Sequence, residues 1–369
     1  MKILVIPDSF KRSLSSFEIC KIIEDELKNI FSDVEITSIP IGDGGEGTLD
    51  SVLSFVNGKK VECFVQNSLY EDIVVPIGFY NNGRNAIIES SLSNGLNLIK
   101  GRENPENTSS YGVGQMVGFA VDYGAKNILL TLGGSSTNDC GLGMLAALGA
   151  CFYNKNGISF VPTGKTLCEV EDFDFSQMYP RLVGAKFTAL CDVENHLCGK
   201  NGASKIFAKQ KGADEKMIER LEKGCIHIKN LFQKKLGQDF SMEKGSGAAG
   251  GLGFAVISAF KGELKSGIKT VLNLSNFEKK LENCDLIITG EGQFDSQSLM
   301  GKTVGEIINR AKNCPVLVLC GNKKDDLILP PNVKVYEINK NQNLDYAISH
   351  TKENLKIAIN EIFEKKDFL

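Results

Sequence analysis

Four short stretches of this sequence place carboxylates just after predicted strands, two of them in glycine-rich loops. They are "PDSFKRSLS" with Asp8, Ser9 and Lys11; "GDGGEGTLD" with Asp43, Gly44, Gly45, Glu46 and Thr48; "ALCDVEN" with Asp192; and "ITGEGQFDSQS" with Gly290, Glu291, Gly292, Asp295, Ser296 and Gln297. Carboxylates in glycine-rich loops suit magnesium, which takes one or two carboxylates together with phosphate oxygens. An Asp can also accept the proton of a substrate hydroxyl, and a lysine such as Lys11 can hold a transferring phosphate as a point charge. The cost of such loops is real: each glycine fixed in ordered structure loses about 0.5–1 kcal/mol relative to alanine. Asp43 and Glu46, three residues apart, also repel unless something cationic sits between them. A metal ion, a lysine or a bound substrate offsets both costs.

Plainer readings exist for each stretch taken alone. Glu46 suits a helix N-terminus, a single strand-end Asp can be a cap or a turn former, and a single Lys is usually a solvated one. Capping alone does not explain why Asp8, Asp43, Asp192 and Asp295 all follow predicted strands. A fifth stretch, "GGSSTND" at 133–139, offers backbone amides with Ser135, Ser136, Thr137 and Asn138 at a predicted helix start. Free N–H groups and the helix dipole make such a place an anion or phosphate site; capping by Asn138 or Asp139 is the alternative.

The elements that must position these residues read as α/β. "KILVI" at 2–6 is a buried strand, and Ser15 with Glu18 forms a capping box for a helix carrying Ile19, Ile23, Leu27 and Ile30 at helical spacing. "VEITSIP" is a second strand, and Leu49, Val52, Leu53 and Val56 mark a second helix. This is an α/β unit with a parallel sheet, whose chemistry belongs at the carboxyl ends of its strands. Residues 60–100 differ, with short strands broken by turn signals such as "NNG", which predicts an antiparallel region. "KNILLTLGG", "KFTALCDVEN", "CDLIITGEGQFDSQS", "CPVLVLCG" and "VKVYEIN" read as further strands, and a long helix covers roughly 214–236. We expect a Rossmann-like domain of residues 1–60 plus 280–369 and an inserted mixed α/β domain of residues 61–279.

Other chemistries fail on context. "GSGAAG" at 245–250 matches G-x-G-x-x-G but follows no strand, so a tight helix-packing or phosphate-approach loop fits better than a dinucleotide site. The two "GKT" triplets at 164–166 and 301–303 have Ser159 and Ser296 where the phosphate-loop motif needs glycine. His196, His227 and His350 show no zinc spacing. The 11 scattered cysteines include no C-x-x-C pair, as expected for reduced thiols of a cytoplasmic protein. A net charge of −3 with no basic run gives no nucleic-acid surface, and no stretch reaches membrane-spanning length.

Taken together, "PDSFKRSLS", "DGGEGT", "GGSSTNDCGLGMLAALG", "CDVEN", "NGAS…QKGA", "GAAGGLG" and "TGEGQFDSQS…GK" resemble the glycerate kinase family, in family order and over nearly the whole chain. The resemblance implies two α/β domains with the active site in the cleft between them. It further implies ATP- and magnesium-dependent phosphorylation of D-glycerate, usually to 2-phosphoglycerate. Three motifs depart from the family pattern, at four positions: Arg12 stands where SFKGS has glycine, Glu194 and His196 stand in the variable places of CDV(D/N)NP, and Gln293 replaces the arginine of GEGRxD. The last removes a charge available to a carboxylate or phosphate, and so bears on the substrate more than on the reaction type.

On this reading Asp192 is the base, with Asp43 and Asp295 as rivals. Lys11 neutralises the transferring phosphoryl group. Asp43 and Glu46, or Asp295, hold magnesium, and "GGSSTND" binds phosphate or the glycerate carboxylate. Asp8, Ser9, Gly44, Gly45, Thr48, Gly290, Glu291, Gly292, Ser296 and Gln297 complete the expected binding loops. The expected partners are glycerate and ATP, with no nucleic acid or membrane, and either a monomer or a homodimer. A kinase of another small hydroxy acid, a non-catalytic sugar-acid-binding module and a dehydrogenase are the rival readings.

Overall fold

The computed structural model describes residues 1–364 except 43, 179, 300, 301, 325, 326, 340 and 341, and the side chain of 181. The chain divides into two compact units. Unit 1 comprises residues 1–43, 50–56 and 268–369; unit 2 comprises residues 44–49 and 57–267.

Unit 1 is built on five parallel strands in the order Val333–Glu337, Val316–Lys323, Leu286–Phe294, Lys2–Val5, Glu35–Ser38. The apolar runs predicted as strands form its centre, with Ile3, Val5, Ile288 and Leu319 among its buried core residues. The helix Ser16–Ile30 starts as expected: Ser15 Oγ accepts from Glu18 N, and Glu18 Oε2 accepts from Ser15 N at 2.8 Å. That helix buries Ile19, Ile23 and Leu27 against the same core as the closing helix Thr351–Glu364.

One strand is longer than its apolar run. Leu286–Phe294 continues through Gly290, Glu291, Gly292 and Gln293, with Gln293 opposite Asn322 in the ladder. Glu291 thus sits on a strand rather than in the loop after it. The glycines permit this: a Cβ at Gly290 would lie 2.3 Å from Leu319 O, and one at Gly321 would lie 2.6 Å from Gly292 O.

Unit 2 is mixed. Glu263–Lys265, Lys186–Leu190, Asn127–Thr131 and Asn85–Glu89 run parallel, and Asp72–Tyr80 and Gly58–Gln66 extend the sheet antiparallel. The "NNG" turn has Asn81, Asn82 and Gly83 all at positive φ, the conformation that Asn and Gly tolerate best. The long helix is Glu215–Leu236, capped by Asp214. "GSGAAG" is a packing loop. A Cβ at Gly250 would lie 1.9 Å from Thr137 O, and one at Gly247 would lie 2.2 Å from His196 O. All 11 cysteines are free thiols, and among the described residues no helix is long and apolar enough to cross a membrane.

Candidate active site

The expected residues gather at the carboxyl ends of the parallel strands, in two clusters, each built within its own unit. In unit 2 the loop after Gly44 is tied down by its own atoms and by Glu89. Gly44 N donates to Thr48 Oγ1 at 3.0 Å, and Thr48 Oγ1 donates to Gly45 O at 2.8 Å. Glu89 ends the strand Asn85–Glu89 and is 2% exposed. Its Oε1 accepts from Gly47 N at 3.0 Å and Ser91 Oγ at 3.1 Å, and its Oε2 accepts from Leu49 N at 3.1 Å. Burial pushes this carboxyl up, while those N–H and O–H donors oppose the rise.

The same loop touches two neighbours. A Cβ at Gly133 would lie 2.5 Å from Gly45 Cα, so the start of "GGSSTND" packs on the glycine loop. The Cβ position of Gly44 lies 3.6 Å from Asp192 Oδ2 and 3.3 Å from Gly267 Cα. Asp192 follows the strand Lys186–Leu190 and is exposed; its Oδ1 accepts from Ser266 Oγ at 3.0 Å and Gly267 N at 2.9 Å. Glu46 is exposed and accepts from Asn97 Nδ2 at 3.5 Å. Asp43 lies outside the described residues.

"GGSSTND" differs from its expectation in detail. The helix begins at Leu142, beyond Asp139, and the stretch is folded inward. Ser136, Thr137 and Asn138 are fully buried. Ser136 Oγ donates to Asn94 O at 2.8 Å, Asn94 Nδ2 donates to Thr137 Oγ1 at 3.3 Å, and Asn138 Nδ2 donates to Ser204 Oγ at 3.1 Å. Asp139 Oδ2 accepts from Ser110 N at 2.7 Å. These hydroxyls and amides thus do structural work that local spacing does not reveal. Ser135 is bonded differently, accepting at 3.0 Å from the Nζ of Lys211, which also donates to Thr137 O at 2.7 Å. Lys211 is 2% exposed, and its burial brings the amine down to about 8.

In unit 1, Asp8 follows Lys2–Val5, with Asp8 N donating to Gly290 O at 2.9 Å. Its Oδ1 accepts from Ser9 N at 2.7 Å, and its Oδ2 from Thr303 Oγ1 at 2.9 Å. Lys11 is exposed, and its backbone N lies 3.7 Å from the Cβ position of Gly292. Burial, with Asp8 nearby, pushes the Glu291 carboxyl up to about 7, and its Oε1 is buried without a hydrogen-bond partner. Asp295 goes the other way. Although burial opposes it, the Gln297 amide and the Gln293 side chain hold it below the usual range. Gln293 Nε2 donates to Asp295 Oδ2 at 3.1 Å, Gln297 N donates to Asp295 Oδ1 at 2.9 Å, and Lys302 Nζ donates to Gln297 Oε1 at 3.1 Å. Ser296 is exposed beside them. The Gln293 departure therefore acts on Asp295 directly.

Sequence reasoning missed Glu89, Lys211 and Thr303. Glu89 ends the apolar run "NAIIE", the same strand-end signal that picked out Asp192. Lys211 lay within "QKGA", and Thr303 within a "GKT" set aside as a phosphate loop. Among the described residues no group of three or more His, Cys, Asp or Glu is placed to hold a metal ion.

The sequence model of the glycerate kinase family matches residues 3–366. A glycerate kinase of Bacillus cereus (strain ATCC 10987 / NRS 248) is 42% identical over 87% of this chain and 85% of its own. A glycerate 2-kinase of Escherichia coli (strain K12) is 40% identical over 89% and 87%. A crystal structure from Salmonella typhimurium LT2, of a protein provisionally named glycerate kinase 2, superposes with a TM-score of 0.84 at 32% identity. It covers 100% of this chain and 98% of that one.

Proposed function

Since the chain belongs to the glycerate kinase family, we propose that this kinase transfers the γ-phosphoryl group of ATP to the 2-hydroxyl of D-glycerate, with magnesium. The observation that carries the reading is that, each within its own unit, Asp8 in unit 1 and Asp192 in unit 2 follow the carboxyl end of a parallel strand, where α/β folds bind ligands, with Glu291 in the last part of the strand next to Asp8's. The 2-position is supported by the Escherichia coli relative, a glycerate 2-kinase.

Phosphoryl transfer asks a protein mainly for positioning and charge stabilisation. In unit 2, Asp192 takes the hydroxyl proton on Oδ2, and the bonds from Ser266 and Gly267 to Oδ1 fix its direction. Glu89 fixes the shape of the Gly44–Thr48 loop beside Asp192, taking Gly47 N and Leu49 N on its two oxygens. Lys211 gives Ser135 a buried cationic neighbour, which favours a negatively charged ligand there. In unit 1, Lys11 supplies positive charge to the nucleotide phosphates.

The unit 1 carboxylates fit magnesium. Glu291 Oε1 is buried and unpartnered near Asp8 and Asp295, an acceptor that a cation could satisfy. Glu291 and Asp295 would hold the ion, which when bound neutralises phosphate charge. Glu46 and Asp43 are the alternative holders. The product test is phosphorus NMR of the species made from D-glycerate and ATP. A 2-phosphoglycerate signal supports the position; 3-phosphoglycerate overturns it.

A further inference from the structure

The amino-terminal edge of the unit 1 sheet, opposite the end that carries Asp8 and Glu291, holds a feature the kinase reaction does not use. A cavity of about 410 Å³ opens there, lined by Lys2, Thr37, Asn276, Lys279, Lys280 and Cys284 among others. Cys284 stands just before the strand Leu286–Phe294, and Cys314 just before its parallel neighbour Val316–Lys323. Ile287 lies opposite Val316, so the ladder brings the two cysteines together. The Cys314 thiol donates to the Cys284 carbonyl at 3.4 Å, and the Cys284 thiol donates to Leu286 O at 3.2 Å. Both thiols are half-buried rather than sealed in the core.

We infer that Cys284 and Cys314 form a thiol pair that a low-molecular-weight disulfide, entering through this cavity, oxidises reversibly to an intrachain disulfide.

The Cys284 thiolate attacks one sulfur of the small disulfide and expels the other half as a thiolate. Cys314 then loses its proton to solvent, attacks the Cys284 sulfur and expels the second half. Two protein thiols become one disulfide, and one small disulfide becomes two thiols. The neighbouring Cys314 thiol brings Cys284 down to about 7 despite burial, and Cys284 in turn holds Cys314 up, so Cys284 is the first of the two to ionise. Burial raises Cys168, the exposed one, the half-buried Cys191 and Cys198, and also Cys20, Cys63 and Cys320. Cys140 and Cys225 touch at 3.6 Å but are fully buried.

The test treats the full-length native protein with oxidised glutathione at pH 7, quenches with an alkylating agent and maps the peptides by mass spectrometry. The expected result is a Cys284–Cys314 cross-link that a reducing agent releases. The Cys314→Ser variant should instead keep a glutathione adduct on Cys284, and Cys284→Ser should show neither product. In the unoxidised protein, Cys284 should alkylate about fivefold faster than Cys168 at pH 7, its larger thiolate fraction being partly offset by lower nucleophilicity. Capture at Cys168 first, or a mixed disulfide on Cys284 that never resolves in the wild-type chain, would overturn the inference.

Discussion

The Glu89 carboxylate accepts the Gly47 amide at 3.0 Å, so a buried strand-end acid clamps a glycine loop 42 residues earlier in the chain. The clamp is double, because Leu49 N donates to the other oxygen at 3.1 Å. Glu89→Ala leaves both amides without that partner. Gly47 is exposed and water can take its amide, but Leu49 is buried; an unsatisfied buried donor costs about 1–3 kcal/mol, so the variant should unfold that much more easily. The loosened loop should also raise KM for glycerate more than it lowers kcat. Thermal unfolding and steady-state kinetics check both; an unchanged KM would remove Glu89 from loop positioning.

Asp192→Asn keeps the size and the geometry of the side chain and removes the basic oxygen. General-base catalysis contributes roughly 10²–10⁴-fold, so kcat should fall by that order while ATP binding, followed by calorimetry, is retained. Near-normal turnover would move the base to another carboxylate.

Glu291 makes stability depend on pH in a predictable direction. Its carboxyl rises from 4.5 in the unfolded chain to about 7 in the fold. Between those values the folded state holds a proton that the unfolded chain has released, so stability falls as pH rises through the window. At 1.36 kcal/mol per unit the fall is about 3 kcal/mol. The contribution is fully present below the unfolded value and lost above the folded one. Glu291→Gln cannot titrate, so urea unfolding at pH 5 and 7.5 should differ less in the variant than in the wild-type protein. An equal difference in both proteins would contradict the assignment.

Local patterns told the strands, the capped first helix and the acidic glycine loops, because each rests on spacing within a few residues. The Ser15–Glu18 box and the run of buried residues from Ile3 to Ile6 are of this kind. The inward turn of "GGSSTND" was not legible. Its partners Asn94, Ser204 and Lys211 come from other elements, up to 76 residues away. Nor did apolar periodicity mark the last four residues of Leu286–Phe294, where glycines and a neighbouring strand, rather than hydrophobic side chains, continue the ladder. The roles of Glu89 and Thr303 depend likewise on contacts across the fold.

The Arg12 departure has a backbone meaning. Arg12 has φ 69°, in the left-handed region that favours glycine, where the family pattern has glycine. A non-glycine residue there costs roughly 1–2 kcal/mol, partly offset by its lower entropy when unfolded. Arg12→Gly should therefore stabilise the protein by up to about 1 kcal/mol, raising the urea midpoint with an unchanged slope. A lower midpoint would show that the Arg12 side chain makes a compensating contact.

Glycerate phosphorylation is tested most simply by ADP release from the purified chain with ATP, magnesium and D-glycerate, against the same mixture without the acid. Release should depend strongly on glycerate and be lost when magnesium is chelated. ADP release that is indifferent to glycerate, or that another hydroxy acid drives better, would contradict it.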